Sequence, residues 1–229
     1  MKLAIMQPYL FPYVGYYQLA AAVDKFVFYD DVNYIKGGWI NRNRLIISGQ
    51  VKYFTLPLVN GSPNNKINEV LVSVNNQKQI RKILESIKFS YSKTQYFKEV
   101  YLLIENVLNS GHTNLAMITK SSIVKVLEYC NIHTELVMSS EIYNNSELSS
   151  VSRVLDICQK ENADTYVNLP GGKALYSEQE FGNKNIKLEF ITPNLINYTG
   201  QDGYIPGLSI IDILMNMGPN GTKKILLGK

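Results

Sequence analysis

The sequence predicts an α/β protein with a mostly parallel, Rossmann-like sheet and an inserted or appended helical subdomain. Two strand–helix–strand patterns, at residues 2–29 and 134–169, favour parallel pairing with right-handed crossovers. Between them, residues 76–130 carry apolar side chains at helical spacing. We therefore expect a single α/β domain over residues 1–229, in which residues 76–130 form a helical subdomain.

The first unit begins with a short apolar run that ends at Gln7 and Pro8, as a buried central strand does. A run with small and apolar residues at helical spacing follows, and then a run of β-forming residues. These patterns predict a strand over residues 2–6, a helix over 13–23 and a strand over 25–29. In such a sheet the ligand crevice lies at the carboxyl ends of the strands.

The rest of the chain contains further strand and helix patterns. A glycine-containing turn between two β-forming runs predicts a hairpin over residues 45–56. The final helix is expected to end where Gly218 and Pro219 follow it. The remaining patterns predict strands over residues 69–74, 134–138, 164–169 and 186–191, helices over 146–161 and 208–217, and three helices within 76–130.

The composition excludes several classes of site. The chain has 16 tyrosines but only two histidines and two cysteines. A zinc site of the usual kind needs about three or four such ligands together, and these four residues are scattered, so no metal site is expected. A catalytic triad would have to use His112 or His133. Tyrosines, amides, arginines and carboxylates therefore remain as the functional groups.

The charge balance favours a small anionic ligand. The formal net charge of +4 is spread along the chain, whereas DNA binding generally needs a concentrated basic face. The apolar run at residues 2–6 is too short for a signal peptide or a membrane-spanning helix, and the cysteines are expected to be reduced. We expect a cytoplasmic protein that binds no DNA and does not insert into a membrane.

The first candidate site is the loop between the first strand and the first helix. Such a loop places backbone N–H groups and the positive end of the helix dipole where phosphates are held. Aromatic side chains beside a crevice can stack on a sugar or a base, although an aromatic lid on the core explains them equally well. The candidate substrate-binding residues here are Gln7, Pro8, Tyr13, Gly15 and Tyr16.

The second candidate is the acidic pair Asp30 and Asp31, which follows the second strand. Adjacent carboxylates in a strand point to opposite faces, so at most one enters the crevice unless the strand has already ended. That carboxylate is a candidate general base for an amine or hydroxyl group, and strand termination is the alternative explanation. We assign both residues as candidate catalytic groups, and which of them faces the site stays open.

The third candidate is a polar segment that contains the only tryptophan. Its two guanidinium groups can each hold a phosphate bidentately. If the segment forms a strand, its asparagines lie on one face of the strand and its arginines on the other. Only one of these pairs would then contact the ligand. A solvated edge accounts for two arginines but not for the glycines, tryptophan and asparagines beside them. The candidate substrate-binding residues are Lys36, Trp39, Asn41, Arg42, Asn43 and Arg44.

Two later features add candidate substrate-binding residues. Gly171 and Gly172 follow a predicted strand and allow close approach of a ligand to the backbone, although a simple turn also explains them. They do not form a P-loop, because Val167 stands where that motif needs its first glycine. Asp212 stands at a capping-box position that usually holds Glu or Gln, so its carboxylate is a candidate for the site.

Four blocks of the chain resemble the WbqC-like family. They are MQPYLFPYVGY at 6–16, FVFYDDV at 26–32, GWINRN at 38–43 and LSIIDIL at 208–214. The family is associated with bacterial O-antigen and related polysaccharide gene clusters. The resemblance implies a transferase that attaches an acyl or aminoacyl group, such as glycine, to the amine of a nucleotide-linked deoxyamino sugar.

The candidate residues fit that reaction. Aromatic rings would stack on the base or hexose, Arg42 or Arg44 would hold a diphosphate, and Asp30 or Asp31 would take up the amine proton. No cofactor is identified, because the sequence has no acyl-CoA loop, no thiol placed as a nucleophile and no P-loop. ATP, CoA and aminoacyl-tRNA all stay open as the source of the acyl or aminoacyl group.

Two alternatives from other functional classes also stay open. A non-catalytic nucleotide-sugar or glycan-binding protein would use the same aromatic and arginine residues. A nucleotidyl-transferring or adenylate-forming enzyme is suggested by the strand–loop–helix start, although the histidines of the usual motif are missing. The sequence leaves the oligomeric state open and is compatible with a homo-oligomer.

Overall fold

The chain forms an α/β structure, seen in a computed structural model that describes residues 1–73, 77–193 and 205–228. The strands are β1 (Lys2–Met6), β2 (Lys25–Phe28), β3 (Arg42–Ile47), β4 (Gln50–Thr55), β5 (Glu135–Val137), β6 (Thr165–Asn168) and β7 (Lys187–Phe190). The helices are α1 (Val14–Ala21), α2 (Gln77–Tyr91), α3 (Phe97–Leu108), α4 (Leu115–Tyr129), α5 (Ser150–Lys160), α6 (Glu178–Gly182) and α7 (Ile210–Leu226). The predicted fold class is confirmed.

Five strands form one parallel sheet in the order β5-β2-β1-β6-β7, and β3 pairs with β4 in a separate antiparallel hairpin. The order reverses at β1, which lies between β2 and β6. Ligands in such sheets bind at the carboxyl ends of the strands where the order reverses. The sequence predicts the crevice at the ends of β1 and β2, whereas the reversal lies between β1 and β6.

The sheet is buried on both faces because the central strand β1 carries apolar side chains on each of its two faces. Leu3 and Ile5 of β1 belong to an apolar cluster that also contains Ile157 of α5 and Phe181 of α6. Ala4 belongs to the cluster on the other face, with residues of α1, α4 and α7. The three helices predicted within 76–130 are confirmed as α2, α3 and α4, and their apolar residues join this second cluster.

The strand predicted over residues 69–74 is wrong in its described part. A 3-10 turn occupies Ile67–Glu69, after which Leu71 and Val72 make isolated bridges to Asn114 and Leu58. Because neighbouring residues pair with different partners, no continuous ladder forms. Residue 74 lies outside the described residues.

The last helix is longer than predicted. Ser209 caps its start, where its Oγ accepts a hydrogen bond from the N–H of Ile211 at 3.4 Å. The predicted end at Gly218 is a break, with φ 61° and ψ −170°, and a second helical segment begins at Pro219. Proline is favoured in the first turn of a helix, so the residue predicted to stop α7 starts its second part. The sequence analysis also missed α6.

None of the helices in the described part of the chain has the length and apolar character that crossing a membrane requires.

Candidate functional site

The loop between β1 and α1 is held by side chains from three other elements. The N–H of Phe11 donates to Ser122 Oγ of α4 at 3.0 Å. The carbonyl of Phe11 accepts from Asn43 Nδ2 of β3 at 2.8 Å and from Ser209 Oγ at 2.7 Å. Phe11 has a φ of 42°, which is rare for a bulky residue, and these hydrogen bonds together with its complete burial hold it there. The loop is therefore a rigid wall.

This wall and β3 enclose a pocket of about 160 Å³, which we call the aromatic pocket. Four of the predicted site residues come together there, although they come from two separate sequence blocks. A third segment, which precedes α7 and contains Gly207, also lines the pocket, and Gly207 was not among the predicted site residues. The lining residues are Tyr9, Pro12, Tyr13, Trp39, Asn43, Arg44 and Gly207.

Arg44 forms one wall of the aromatic pocket. Its guanidinium carbon lies 5.3 Å from the centre of the Trp39 ring, and its Nη2 donates to the carbonyls of Pro206 and Gly207 at 3.2 and 3.1 Å. Its Nε is buried and has no hydrogen-bond partner among the residues that the structure describes. Gly207 has a φ of +74°, and a Cβ there would lie 2.6 Å from Arg44 Nη2. Glycine is therefore required for this contact.

Arg42 extends the positive charge beyond the pocket. Its guanidinium carbon lies 4.7 Å from the centre of the Tyr53 ring, which itself stacks on Trp39 at 6.1 Å. Its Nε donates to the carbonyl of Gly38 at 3.0 Å. Among the described residues, neither Arg42 nor Arg44 forms an ion pair with a carboxylate. Two guanidinium charges therefore remain available to an anionic ligand.

The asparagines of the same segment are held by hydrogen bonds within the protein, although Asn43 also lines the aromatic pocket. Asn41 Oδ1 accepts from Tyr34 Oη at 2.9 Å, and its Nδ2 donates to the carbonyl of Leu56 at 2.8 Å. Asn41 and Asn43 are buried, whereas Arg42 and Arg44 are partly exposed. This is the alternation expected of a strand, and it leaves the arginines more open to a ligand than the asparagines.

Most of the other residues predicted in the first loop support the pocket without lining it. Pro8 is buried. Tyr16 is fully buried, and its Oη donates to the carbonyl of Gln7 at 3.0 Å. Burial raises the pKa of Tyr16 well above its usual value, so this hydroxyl stays protonated. A Cβ at Gly15 would lie 2.5 Å from the ring of Tyr13, so glycine is needed where α1 meets the loop. Lys36 is exposed.

The acidic pair is buried and fully hydrogen-bonded. Asp30 Oδ2 accepts from Lys120 Nζ of α4 at 2.8 Å, and its Oδ1 accepts from Ser139 Oγ at 2.7 Å. Asp31 forms an ion pair with Arg153 of α5 and also accepts from Ser140 Oγ. The two carboxylates therefore join the end of β2 to α4, to the segment after β5 and to α5. Their catalytic role remains a prediction.

The sequence analysis missed both cations of these pairs. Lys120 lies in α4 between apolar residues of the buried face, and Arg153 lies beside the apolar stripe of α5. A lysine or arginine on the buried face of a helix is the signal that was available, because such a charge needs a buried partner. The guanidinium of Arg153 also lies 4.9 Å from the centre of the Tyr29 ring.

Gly171 and Gly172 follow β6, next to the point where the strand order reverses, and are not part of the aromatic pocket. A Cβ at Gly172 would lie 2.7 Å from Asn168 Nδ2, whereas a Cβ at Gly171 would meet no atom within 4 Å. Gly172 is therefore required by packing, and Gly171 is an exposed turn residue. Their contact with a ligand remains a prediction.

Asp212 lies in a different pocket, of about 240 Å³, which we call the Asp212 pocket. Tyr91 Oη donates to Asp212 Oδ1 at 2.6 Å, while Oδ2 is buried and has no hydrogen-bond partner in the described part of the chain. Burial raises the pKa of Asp212 and outweighs the opposing effect of the hydrogen bond from Tyr91. The lining residues are Ile46, Ser48, Gly49, Phe89, Ser90, Tyr91, Lys93, Asp212 and Asn216.

Within residues 1–73, 77–193 and 205–228, no group of three or more His, Cys, Asp or Glu side chains is arranged to hold a metal ion.

Comparison with known proteins identifies a family and a relative. The WbqC-like protein family matches residues 7–224. An uncharacterized protein of Mycobacterium tuberculosis, Rv1507c, is 30% identical over 226 residues, which cover 95% of this chain and 94% of that protein. No solved structure gives a significant match to the chain.

Proposed function

The chain belongs to the WbqC-like protein family, and from this premise we propose that it is a transferase of bacterial surface-polysaccharide (O-antigen) biosynthesis. The proposed reaction attaches an acyl or aminoacyl group, such as glycine, to the amine of a nucleotide-linked deoxyamino sugar. The single observation that carries this proposal is the aromatic pocket, in which Arg44 lies beside Trp39 with no carboxylate partner among the described residues.

The chemistry of this pocket suits a nucleotide-linked sugar. Trp39 is 38% exposed, so part of its ring is open to a base or hexose, which can stack on it. Arg44 and Arg42 offer planar guanidinium groups, which bind phosphate oxygens through paired hydrogen bonds. A diphosphate would also supply a partner for the buried Nε of Arg44, which finds none in the part of the chain that the structure describes.

In the proposed step, the amine nitrogen attacks the carbonyl carbon of an activated acyl or aminoacyl donor. An amide bond forms, the bond to the donor's leaving group breaks, and a base takes up the proton of the amine. Asp30 and Asp31 are the proposed candidates for that base, since the chain has few histidines. A ligand would have to displace Lys120 or a serine donor to reach Asp30.

Fluorescence of Trp39 tests the binding part of the proposal, because it is the only tryptophan in the chain. Titration with UDP, GDP and dTDP should change its emission for at least one of them, and the matching nucleoside should have much less effect. The same protein is then incubated with nucleotide-linked amino sugars and acyl or aminoacyl donors, and the products are weighed by mass spectrometry. A nucleoside that binds as tightly as its diphosphate would contradict the proposed role of the arginines.

The engagement of Asp30 and Asp31 in ion pairs favours a second candidate function. A non-catalytic nucleotide-sugar or glycan-binding protein would need the aromatic pocket and no free base. Tight binding of a nucleotide-linked amino sugar, with no mass change for any donor, would support this second function. Formation of an N-acylated product would reject it.

A further inference from the structure

We propose that the Asp212 pocket binds a small molecule through a protonated primary amine, with Asp212, Ser90 and Asn216 as oxygen acceptors. This inference goes beyond the proposed transfer reaction and does not depend on it. The pocket differs from the aromatic pocket in all of its lining residues.

Two buried oxygens of residues that line this pocket lack hydrogen-bond partners within residues 1–73, 77–193 and 205–228. They are Asp212 Oδ2 and Ser90 Oγ. Asp212 is only 2% exposed, so bulk water does not solvate its carboxylate. Buried polar atoms in folded proteins nearly always have partners, and a carboxylate oxygen without one is especially unfavourable. Two such atoms in one pocket therefore indicate an occupant that donates hydrogen bonds.

A third oxygen is supplied by Asn216. Its Nδ2 donates to the backbone carbonyl of Asp212 at 2.8 Å, which leaves Oδ1 as the atom that can accept from a ligand. An ammonium group has three N–H donors and no acceptor, so it matches three oxygens. Its positive charge also suits Asp212, which has no ion-pair partner among the described residues. Lys93 lines the same pocket but lies beyond ion-pair distance of that carboxylate.

The size and composition of the pocket argue against the other occupants. A volume of about 240 Å³ is far more than one water molecule needs, and Phe89 and Ile46 give part of the lining an apolar character. A metal ion would require further carboxylate, histidine or cysteine ligands. Asp212 is the only residue of these types among those that line the pocket. An anion in the pocket would be repelled by the buried carboxylate of Asp212.

The test uses ethanolammonium chloride, with ethylene glycol as its neutral counterpart and sodium chloride at matched ionic strength as the salt control. Binding is followed by NMR amide shifts of the whole chain. We expect ethanolammonium to shift residues 89–93 and 212–216 in a saturable way, while ethylene glycol and sodium chloride do not. Equal shifts with ethylene glycol would show that binding does not depend on the ammonium group, and no shift with any of the three would mean that the cavity holds water only. Either result would overturn the proposal.

Variants distinguish the role of the Asp212 carboxylate in binding from its role in folding. We expect Asp212→Asn to weaken ethanolammonium binding roughly tenfold to a hundredfold, as loss of a charge-assisted hydrogen bond does. Ser90→Ala, which keeps the charge and suits a helix, should weaken it severalfold. Glu147→Gln removes an exposed carboxylate elsewhere and should change nothing. Unchanged affinity in Ser90→Ala and Asp212→Asn, with both variants folded, would reject the three-oxygen site.

Discussion

Asn43 of β3 fixes the backbone of Phe11 in the loop after β1. Its Nδ2 donates to the carbonyls of Phe11 at 2.8 Å and Leu10 at 3.1 Å, so one amide group binds two consecutive peptide units. The same side chain lines the aromatic pocket. The hairpin strand therefore positions the loop wall of the pocket, and the shape of the site depends on a contact between two sequence blocks.

Removal of this amide should destabilise the fold. We expect Asn43→Ala to lower the free energy of unfolding by about 2 kcal/mol, because the carbonyls of Leu10 and Phe11 both lose the donor Asn43 Nδ2, although Phe11 retains Ser209 Oγ. Chemical denaturation measures the change, and Asn64→Ala, at an exposed asparagine, should stay within about 0.5 kcal/mol of the parent. A comparable loss in both variants would show that the contact with Phe11 contributes nothing particular.

Gly207 should be essential to the position of Arg44. We expect Gly207→Ala to cost about 1 kcal/mol or more of stability, because its φ is +74° and the new Cβ meets Arg44 Nη2 at 2.6 Å. The displaced guanidinium should also weaken nucleoside-diphosphate binding, measured by Trp39 fluorescence. Gly111→Ala is the matched control, since its φ is +78° and a Cβ there meets no atom of the described residues within 4 Å. Equal effects of the two substitutions would be inconsistent with the role given to Gly207.

Arg44 should account for much of the affinity for the diphosphate. We expect Arg44→Met to weaken that affinity about tenfold or more, and Arg44→Lys to recover little of it, because lysine cannot form the paired hydrogen bonds. Fluorescence titration with the nucleoside diphosphate measures both. Arg81→Met, at an exposed arginine paired with Glu85, should bind as the parent does. Full affinity in Arg44→Met would remove the main support for the proposed ligand.

Asp31 should be important for stability whether or not it is a catalytic base. We expect Asp31→Asn to lower the free energy of unfolding by about 3–5 kcal/mol, because Arg153 is left as an unpaired buried charge. Glu85→Gln removes a partner from an exposed pair, so it should change stability by less than about 0.5 kcal/mol.

Turnover then distinguishes the roles of the acidic residues. If product formation per folded molecule is unchanged in both Asp30→Asn and Asp31→Asn, neither carboxylate is the base. If one variant still binds the nucleotide-linked sugar but forms no product, that carboxylate is assigned as the base.

The Asp212 carboxyl should make stability depend on pH. Burial raises its pKa in the folded state above the ordinary 3.8, so the folded protein binds more protons than the unfolded chain between the two values. The contribution of this carboxyl to the free energy of unfolding therefore falls as the pH rises from about 3.8 through its raised pKa in the folded state. Above that raised pKa the contribution is constant.

Asp212→Asn removes this dependence. We expect the unfolding free energy of the variant minus that of the parent to increase with pH across this window. Denaturation at a series of pH values measures it, with Glu147→Gln as the exposed control. A difference that stays flat would contradict the raised pKa.

Local patterns in the sequence predicted most elements of the fold. The apolar run of β1 and the helical spacing of α2, α3 and α4 depend on neighbouring residues, so they could be recognised without any knowledge of distant contacts. The strand at residues 69–74 could not be judged in this way, because whether a β-forming segment joins a ladder depends on the partners it meets.

The candidate site was predictable only in part, because its contacts are long-range. Trp39 and Arg44 were identified by residue type, but the proximity of Arg44 to Gly207 joins positions 163 residues apart. The partners of the acidic pair, Lys120 and Arg153, are 90 and 122 residues away from Asp30 and Asp31. Pattern and composition contain no information about such distances.

The position of β1 in the middle of the sheet has a consequence for how the chain folds. β1 pairs with β2 soon after both are made, but its other edge pairs with β6, where Lys2 is opposite Thr165. Ribosomes take about ten to thirty seconds to synthesise the roughly 160 residues between them. Closure of the sheet is thus a late, high-contact-order step, and one edge of β1 stays available for wrong pairing until β6 emerges.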